Sequence, residues 1–448
     1  MNKFALILII FLWQTGCHKN PSTKDPGVIH DSMDDAALLD LVQKQTFNYF
    51  WDGAEPISGM ARERYHEDSV YQDHDQDIIT IGGSGFGLMA MITAVERGFI
   101  ERGKALERLD KILTFLENAD RFHGAWPHWL NPDGSVYPFS SKDDGGDIVE
   151  TAFLAQGLLA FRQYLDQDVS DERILIQRIQ TLWEGIEWSW YTRGEDVLYW
   201  HWSPNFEWEM NFPIGGYNEA LIVYVLAAAS PTYPIDRDVY DLGWARSGRI
   251  QESVTYYDLD TELDHYEHDD APVGPLFWAH YSYLGLNPKG LIDTNADYWK
   301  LNENHARIHY LYCIDNPEEH QGYGESMWGL TSSYSLQFYA AHRPGDDPGV
   351  ISPTAALSSM PYTPDESIKM LRQLYSAHDT LIGQFGPYDA FSFEHNWFVP
   401  RYLAIDQGPI PVMIENHRSG LIWDLFMGNE DVKRGLRSLG FQSTYLED

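Results

Sequence analysis

Cysteine is nearly absent, with two in 448 residues, which excludes a disulfide framework and a thiolate zinc cluster. Positive charge is scarce as well: 31 Lys and Arg face 67 Asp and Glu, a formal net charge of -36. Such a surface repels nucleic acid and anionic membrane, and it disfavours polyanionic glycans, which need a basic cleft. Neutral partners fit better. Long apolar runs are missing too, since the stretch at 4–13 is too short to span a bilayer as a helix. No Gly-x-Ser-x-Gly elbow, P-loop or His-Glu-x-x-His sequence occurs, and Gly83-Ser84-Gly85-Phe86-Gly87 completes no dinucleotide fingerprint. Asp73 to Asp77 starts like a calcium loop, but Ile78 replaces the turn glycine and Ser84 the closing Glu. His265, His268, Asp269 and Asp270 read as a solvated acidic turn. No metal and no cofactor is expected.

The amino terminus reads as a targeting segment. Lys3 supplies its positive start, 4–13 its apolar stretch and Gln14-Thr15-Gly16-Cys17 its processing site. Gly16-Cys17 resembles a bacterial lipoprotein signal, with Gln14 in place of the usual Leu. The expected organisation is a signal peptide over 1–17 with Cys17 lipidated, a polar tether over 18–32, and one large domain over 33–448. The chain is then a membrane-anchored protein of the bacterial cell envelope, facing the periplasm or the cell surface. Cys313, after His309-Tyr310-Leu311-Tyr312, is expected to be a buried free thiol.

What is present is a recurring turn. Gly82-Gly83-Ser84, Gly145-Gly146-Asp147, Gly215-Gly216-Tyr217 and Gly322-Tyr323-Gly324 each lead directly into an apolar, helix-like run. Glycine lets the backbone turn sharply and lets a ligand approach closely. Three of these starts bring a carboxylate into the first turn: Asp147 with Glu150, then Glu219, then Glu325. Helical periodicity covers 36–50, 86–97, 105–119, 149–164, 173–191 and 219–229, and later 275–284, 296–304, 368–377, 420–427 and 431–439. Only 197–202 and 392–399 alternate like short β-ribbons. The starts near 82, 145 and 215 leave room for an inner helix, a return helix and loops. Closing about six such hairpins into a ring gives an all-α (α/α)6 barrel. Segments 345–364 and 383–411, rich in Pro, Gly and aromatics, read as long loops that line a site. Inner helices running in one direction gather their first turns on one rim. Acidic groups meet there, as an acid/base-catalysed hydrolase requires.

Asp143, Asp144, Asp147 and Glu150 crowd one such start. Asp147 and Glu150 also fit a helix N-cap, but capping uses only one or two of the four. Glu219 follows Asn218, which could cap the next helix, and a loop containing Tyr199, Trp200, His201, Trp202, Phe206 and Trp208. A carboxyl beside such rings loses solvation, so its pKa rises toward that of a general acid. Asp406, in Ala404-Ile405-Asp406-Gln407-Gly408-Pro409, fits either a turn or a cleft carboxylate, with Tyr388, Asp389, His395, Asn396 and Trp397 just upstream. The catalytic candidates are therefore Glu219, Asp147, Glu150 and Asp406. Asp144, Trp202, Tyr217, Asn218, Glu325, Tyr388, Trp397 and Glu415 are the candidate substrate contacts. The 16 Trp and 27 Tyr mostly fill a core, but their faces also suit sugar rings.

The glycine-led starts, with Trp328-Gly329-Leu330-Thr331-Ser332-Ser333, Ile351-Ser352-Pro353-Thr354-Ala355-Ala356 and Ala404-Ile405-Asp406-Gln407-Gly408-Pro409, resemble the glucoamylase-like domain of glycoside hydrolase family 144. The resemblance runs from about Leu39 to the C-terminus. It implies an (α/α)6 barrel that hydrolyses neutral β-1,2-glucan, usually with inversion, in endo or sophorose-releasing exo fashion. The family's essential acids fall on Asp147, Glu150 and Glu219, and the late motif points to Asp406. Glu219 is then the general acid, with Asp147 or Asp406 the base. Two alternatives carry different functions: an (α/α)6 glycosidase for another neutral glucan, and a non-catalytic glycan-binding surface lipoprotein.

Overall fold

The computed structural model describes residues 33–71, 75–251, 254–265 and 273–447. The expected signal peptide, its Cys17 and nearly all of the tether lie outside the described residues, as do Asp73, His74 and His268 to Asp270. In chain order the helices are α1 (Asp35–Trp51), α2 (Ile81–Glu96), α3 (Arg102–Asn118), α4 (Ile148–Tyr164), α5 (Ser170–Glu184), α6 (Leu221–Ala229) and α7 (Arg237–Val239). After them come α8 (Tyr298–Asp315), α9 (Pro353–Leu357), α10 (Pro364–Ala377), α11 (Ala404–Gln407), α12 (Pro409–Arg418), α13 (Leu421–Met427) and α14 (Glu430–Leu439). Strands are short and pair into ribbons of two or three.

An inner ring runs through α2, α4, α6, two 3-10 turns at Leu276–Ala279 and Ser282–Leu284, then α9 and the α11–α12 pair, and α12 packs back on α2. The burial pattern explains who sits inside. Every residue of α6, and of α4 from Ile148 to Phe161, is buried, as a helix apolar on all sides must be. By contrast α3, α5 and α10 each bury one stripe and expose the rest, so they form the outer layer. This is the (α/α)6 toroid. Its floor is α13 and α14: Arg162, at the end of α4, donates to Asn429 Oδ1 at 2.8 Å and Asp431 Oδ2 at 2.9 Å. Backbones of α2 and α4 touch at Gly85 and Gly157. A Cβ on Gly85 would lie 2.1 Å from the Phe153 carbonyl oxygen, and one on Gly157 2.2 Å from that of Gly85. No described helix is long and apolar enough to cross a membrane.

Several elements depart from expectation. The helix expected over 173–191 stops at Glu184, because Gly185 ends it and Trp188–Thr192 forms a separate 3-10 turn. The segment 275–284 is two 3-10 turns rather than one helix. Helices α9 and α11 lie inside segments expected to be loops, and α12 begins in one. Pro353 and Pro409 occupy the first helical position, where the missing N–H is no loss. Gly322-Tyr323-Gly324 leads into no helix: the chain runs on in turns and extended backbone to the Ser332–Tyr334 strand.

Candidate active site

Asp147 is the N-cap of α4. Its Oδ1 accepts from the Val149 and Glu150 amides, both at 2.9 Å, and its Oδ2 from His128 Nδ1 at 2.8 Å and Trp200 Nε1 at 3.1 Å. The side chain is fully buried and four donors occupy it, so no lone pair is left to take a proton from water. The expectation that Asp147 could be the base gives way here to a positioning role. His128 and Trp200 were not among the candidate residues, although a His in Trp126-Pro127-His128-Trp129 could have been singled out. The Phe139 ring stacks on His128 at 4.1 Å, and Phe212 stacks on Trp200 at 5.3 Å.

Glu150 faces the same histidine, with Oε1 3.9 Å from His128 Nε2, while its Oε2 accepts from the Gly82 amide at 2.8 Å. Burial resists charge on His128, but Glu150 and Asp147 outweigh it and hold the imidazolium up to about 9. Burial pushes Glu150 up to about 7 against the pull of His128. Gly82 is glycine for a local reason: a Cβ there would stand 2.5 Å from Glu150 Oε2. The first turn of α2 thus presents bare backbone to the carboxylate.

Glu219 sits in the turn just before α6 and not, as expected, in its first helical turn. Asn218 Oδ1 accepts from Ala220 N at 2.9 Å, and Ser282 Oγ donates to the Glu219 carbonyl while accepting from Ile222 N at 3.0 Å. These bonds fix the turn from both sides. Burial, then the charges of Glu150 and Asp147, push the Glu219 carboxyl up to about 7, yet the residue keeps a partial opening to solvent. Tyr281 links this cluster to a second one. It lies within electrostatic reach of Glu219 and Glu150, and its hydroxyl donates to Asp406 Oδ1 at 3.4 Å. Asp406 is buried in α11, where Thr354 Oγ1 donates to its carbonyl at 2.6 Å, and burial followed by the neighbouring Asp389 pushes its carboxyl well up.

Not every expected contact belongs here. Asp144 ties down the loop after Trp202, accepting from Ser203 Oγ and from Asn205 Nδ2 at 2.6 Å. Trp202 packs among His123, Trp190 and Phe122, with its ring 5.3 Å from that of His123. Tyr217 is a core residue, its hydroxyl donating to Asn302 Oδ1 at 2.8 Å. Glu325 is exposed and pairs with Lys369. Glu415 is buried in a fork with Arg97, at 2.6 and 2.8 Å, which locks α12 to α2 and removes it from the cleft. Tyr388 donates to Glu67 Oε2 at 2.8 Å, and Trp397 lies half-buried in a hairpin strand paired with Phe391–Ser392. No described contact joins either to the carboxylates. Among the described residues one metal-like grouping occurs, since ligand atoms of His128, Asp143 and Asp147 lie within 4.8 Å of one another. A proton already bridges His128 Nδ1 and Asp147, and the imidazole is cationic, so the group is an ion pair by its own chemistry.

Comparison with known proteins places the chain among its relatives. The profile of the family described as "Putative glucoamylase" matches residues 211–430. The chain is 42% identical to an exo-β-1,2-glucooligosaccharide sophorohydrolase (non-reducing end) of Parabacteroides distasonis, covering 91% of this chain and 58% of that relative. It therefore spans less than two thirds of the curated relative's length. It is 56% identical to an endo-β-1,2-glucanase from Chitinophaga pinensis, solved with sophorotriose and glucose, at a TM-score of 0.91, covering 93% of this chain and all of the other. An endo-β-1,2-glucanase from Talaromyces funiculosus shares the fold at 12% identity and a TM-score of 0.65, covering 90% of each chain.

Proposed function

Because the chain belongs to the glucoamylase-like glycoside hydrolase family 144, we propose that it hydrolyses β-1,2-glucan or its sophoro-oligosaccharides by inverting acid/base catalysis. The observation that carries this reading is Glu219: a carboxyl pushed up to about 7, so that a large share of it holds a proton at neutral pH, on a residue that keeps a partial opening to solvent. Its proton goes to the glycosidic oxygen as the bond to the anomeric carbon breaks. A water attacks that carbon from the opposite face and loses its proton, directly or through a sugar hydroxyl, to the carboxyl group of Asp406. Asp147, His128 and Glu150 hold the cleft floor and its negative field. Exposed Phe139 and Phe212, each stacked on a ring that touches Asp147, offer faces to neutral sugars. The acidic surface suits such a substrate.

Incubation with linear β-1,2-glucan, β-1,3-glucan and starch, followed by product analysis, tests the reading. Cleavage of β-1,2-glucan alone is expected. Sophorose as sole product marks exo action and a ladder of oligosaccharides endo action. Binding without cleavage would put the glycan-binding alternative in its place. The same proposal sets the protein in the bacterial envelope, anchored by a lipid on Cys17; support comes from Gly16-Cys17 after the apolar stretch.

A further inference from the structure

Two buried aspartates face each other at the far side of the cleft. Asp406, 3% exposed, comes from α11, and Asp389, 4% exposed, from the segment before the Phe391–Ser392 strand. Each has one oxygen served by a donor: Tyr281 hydroxyl to Asp406 Oδ1 at 3.4 Å, and Tyr334 amide to Asp389 Oδ2 at 2.7 Å. The remaining oxygens, Asp406 Oδ2 and Asp389 Oδ1, are buried and meet no N–H or O–H from any other group. Each carboxyl instead lies within hydrogen-bonding reach of the other. Carboxylate oxygens only accept, so a bond between two carboxyl groups needs a proton between them. Two bare carboxylates at this spacing, away from water, would repel strongly.

We infer that Asp389 and Asp406 share one proton, so that the base of this site is a carboxyl–carboxylate dyad in which Asp389 is the positioning residue. The inference rests on the function proposed above. The surroundings reinforce a single shared charge. Glu63, itself paired with Arg64, adds negative field to both groups, and burial pushes Asp389 up to about 6. Tyr281 and Tyr334 face the pair as neutral phenols, because burial raises both of their pKa values. The singly protonated dyad carries one negative charge. It takes up the proton lost by the attacking water and becomes neutral, and the proton returns to solvent after product leaves. The two groups titrate as a unit.

Asparagine mimics a protonated aspartate at position 389. Its oxygen can accept from the Tyr334 amide while its nitrogen donates to Asp406. With β-1,2-glucan as substrate, Asp389→Asn is expected to lower kcat by about 10–100-fold with KM nearly unchanged, and Asp406→Asn by about 10²–10⁴-fold. A purely structural role would not predict the second readout, which needs no substrate. The folded dyad keeps a proton that the unfolded chain releases above its ordinary carboxylate pKa, so wild-type stability falls as pH rises. Asp389→Asn removes that proton and its pH dependence. Its Tm should exceed wild type by at least about 3 °C at pH 8, with the gap shrinking toward pH 5. The wild-type infrared band of a protonated carboxyl that is lost in Asp389→Asn should accompany it. A Tm lowered equally at every pH, with the band unchanged, would overturn the dyad. Should Asp389→Asn not fold, Asp406→Asn must show the same loss of pH dependence. A wild-type enzyme inert on β-1,2-glucan but with these stability and infrared signatures would overturn the function and leave the dyad standing.

Discussion

Glu219 and Glu150 are raised to a similar value by the same cause, burial, yet they are not equivalent. Glu150 is spoken for by the Gly82 amide and by a cationic His128, whereas Glu219 keeps an open side. A general acid has to reach the leaving oxygen, so access decides between them. Glu219→Gln keeps the shape but has no carboxyl proton, and its rate on β-1,2-glucan should fall about 10²–10⁴-fold. A substrate with an activated leaving group needs little protonation and should recover much of that loss. A folded, nearly fully active Glu219→Gln would remove the assignment. The wild-type kcat/KM should decline above about pH 7, where Glu219 gives up its proton. Stability falls in the same direction, because the fold must release that proton late. A carboxyl raised from 4.5 to about 7 in the fold destabilises progressively across that window, in full only above it. Glu219→Gln should therefore melt higher than wild type at pH 8 and differ little at pH 4. The same residue-scale chemistry bears on metals. Because the His128–Asp147 contact is an ion pair and the proposed acid and base are carboxyls, prolonged chelation should leave hydrolysis within about twofold of its starting rate. Loss restored by calcium or zinc would contradict this.

Three of the four glycine-led starts enter inner helices, each by different means. At α4 the acid caps the helix, at α6 it stands in a pinned turn, and at α2 the glycine gives its own amide to an acid from the neighbouring helix. That last contact is the most exposed to substitution. Gly82→Ala would place a methyl 2.5 Å from Glu150 Oε2, forcing the carboxylate away and leaving the Gly82 amide without its partner. A loss of about 1–3 kcal/mol in denaturant unfolding is expected, with at least tenfold lower kcat/KM. Unchanged values for both would mean that the α2–α4 contact yields freely. These contacts also show what could be read in the chain beforehand. Periodicity placed α1, α3, α4 and α13 to within about three residues, since each is long enough or apolar enough to carry the pattern. It failed at α9 and α12, which are short, begin at proline and sit among aromatics, so they look like loops until the ring is closed. The cluster around Asp147 was partly visible because its acids are close in sequence. His128, Trp200, Tyr281 and the pairing of Asp389 with Asp406 depend on packing between distant segments, which no local pattern reports. Glu415 and Tyr217 misled for the converse reason: a polar residue near a suggestive motif can be buried to lock two helices together.

Across the whole molecule, acidic residues outnumber basic ones by more than two to one, and the formal charge is -36. Such a surface keeps away from anionic lipid headgroups, so the barrel itself offers no electrostatic hold on a bilayer. No described helix can span one either. On the anchoring proposed above, covalent lipid on Cys17 supplies the hold, since Cys313 is buried in the barrel. This separates anchoring from catalysis and makes the two independently testable. Cys17→Ser in the full chain should shift the protein from the membrane fraction to the soluble periplasmic fraction, with specific activity on β-1,2-glucan unchanged. The shift should be complete and insensitive to salt, since a formal charge of -36 disfavours peripheral binding to anionic headgroups once the lipid is gone. Partition that stays with the membrane in Cys17→Ser would refute the anchor. Release by salt alone in the wild type would refute it equally, because acyl chains hold by buried methylenes and not by charge.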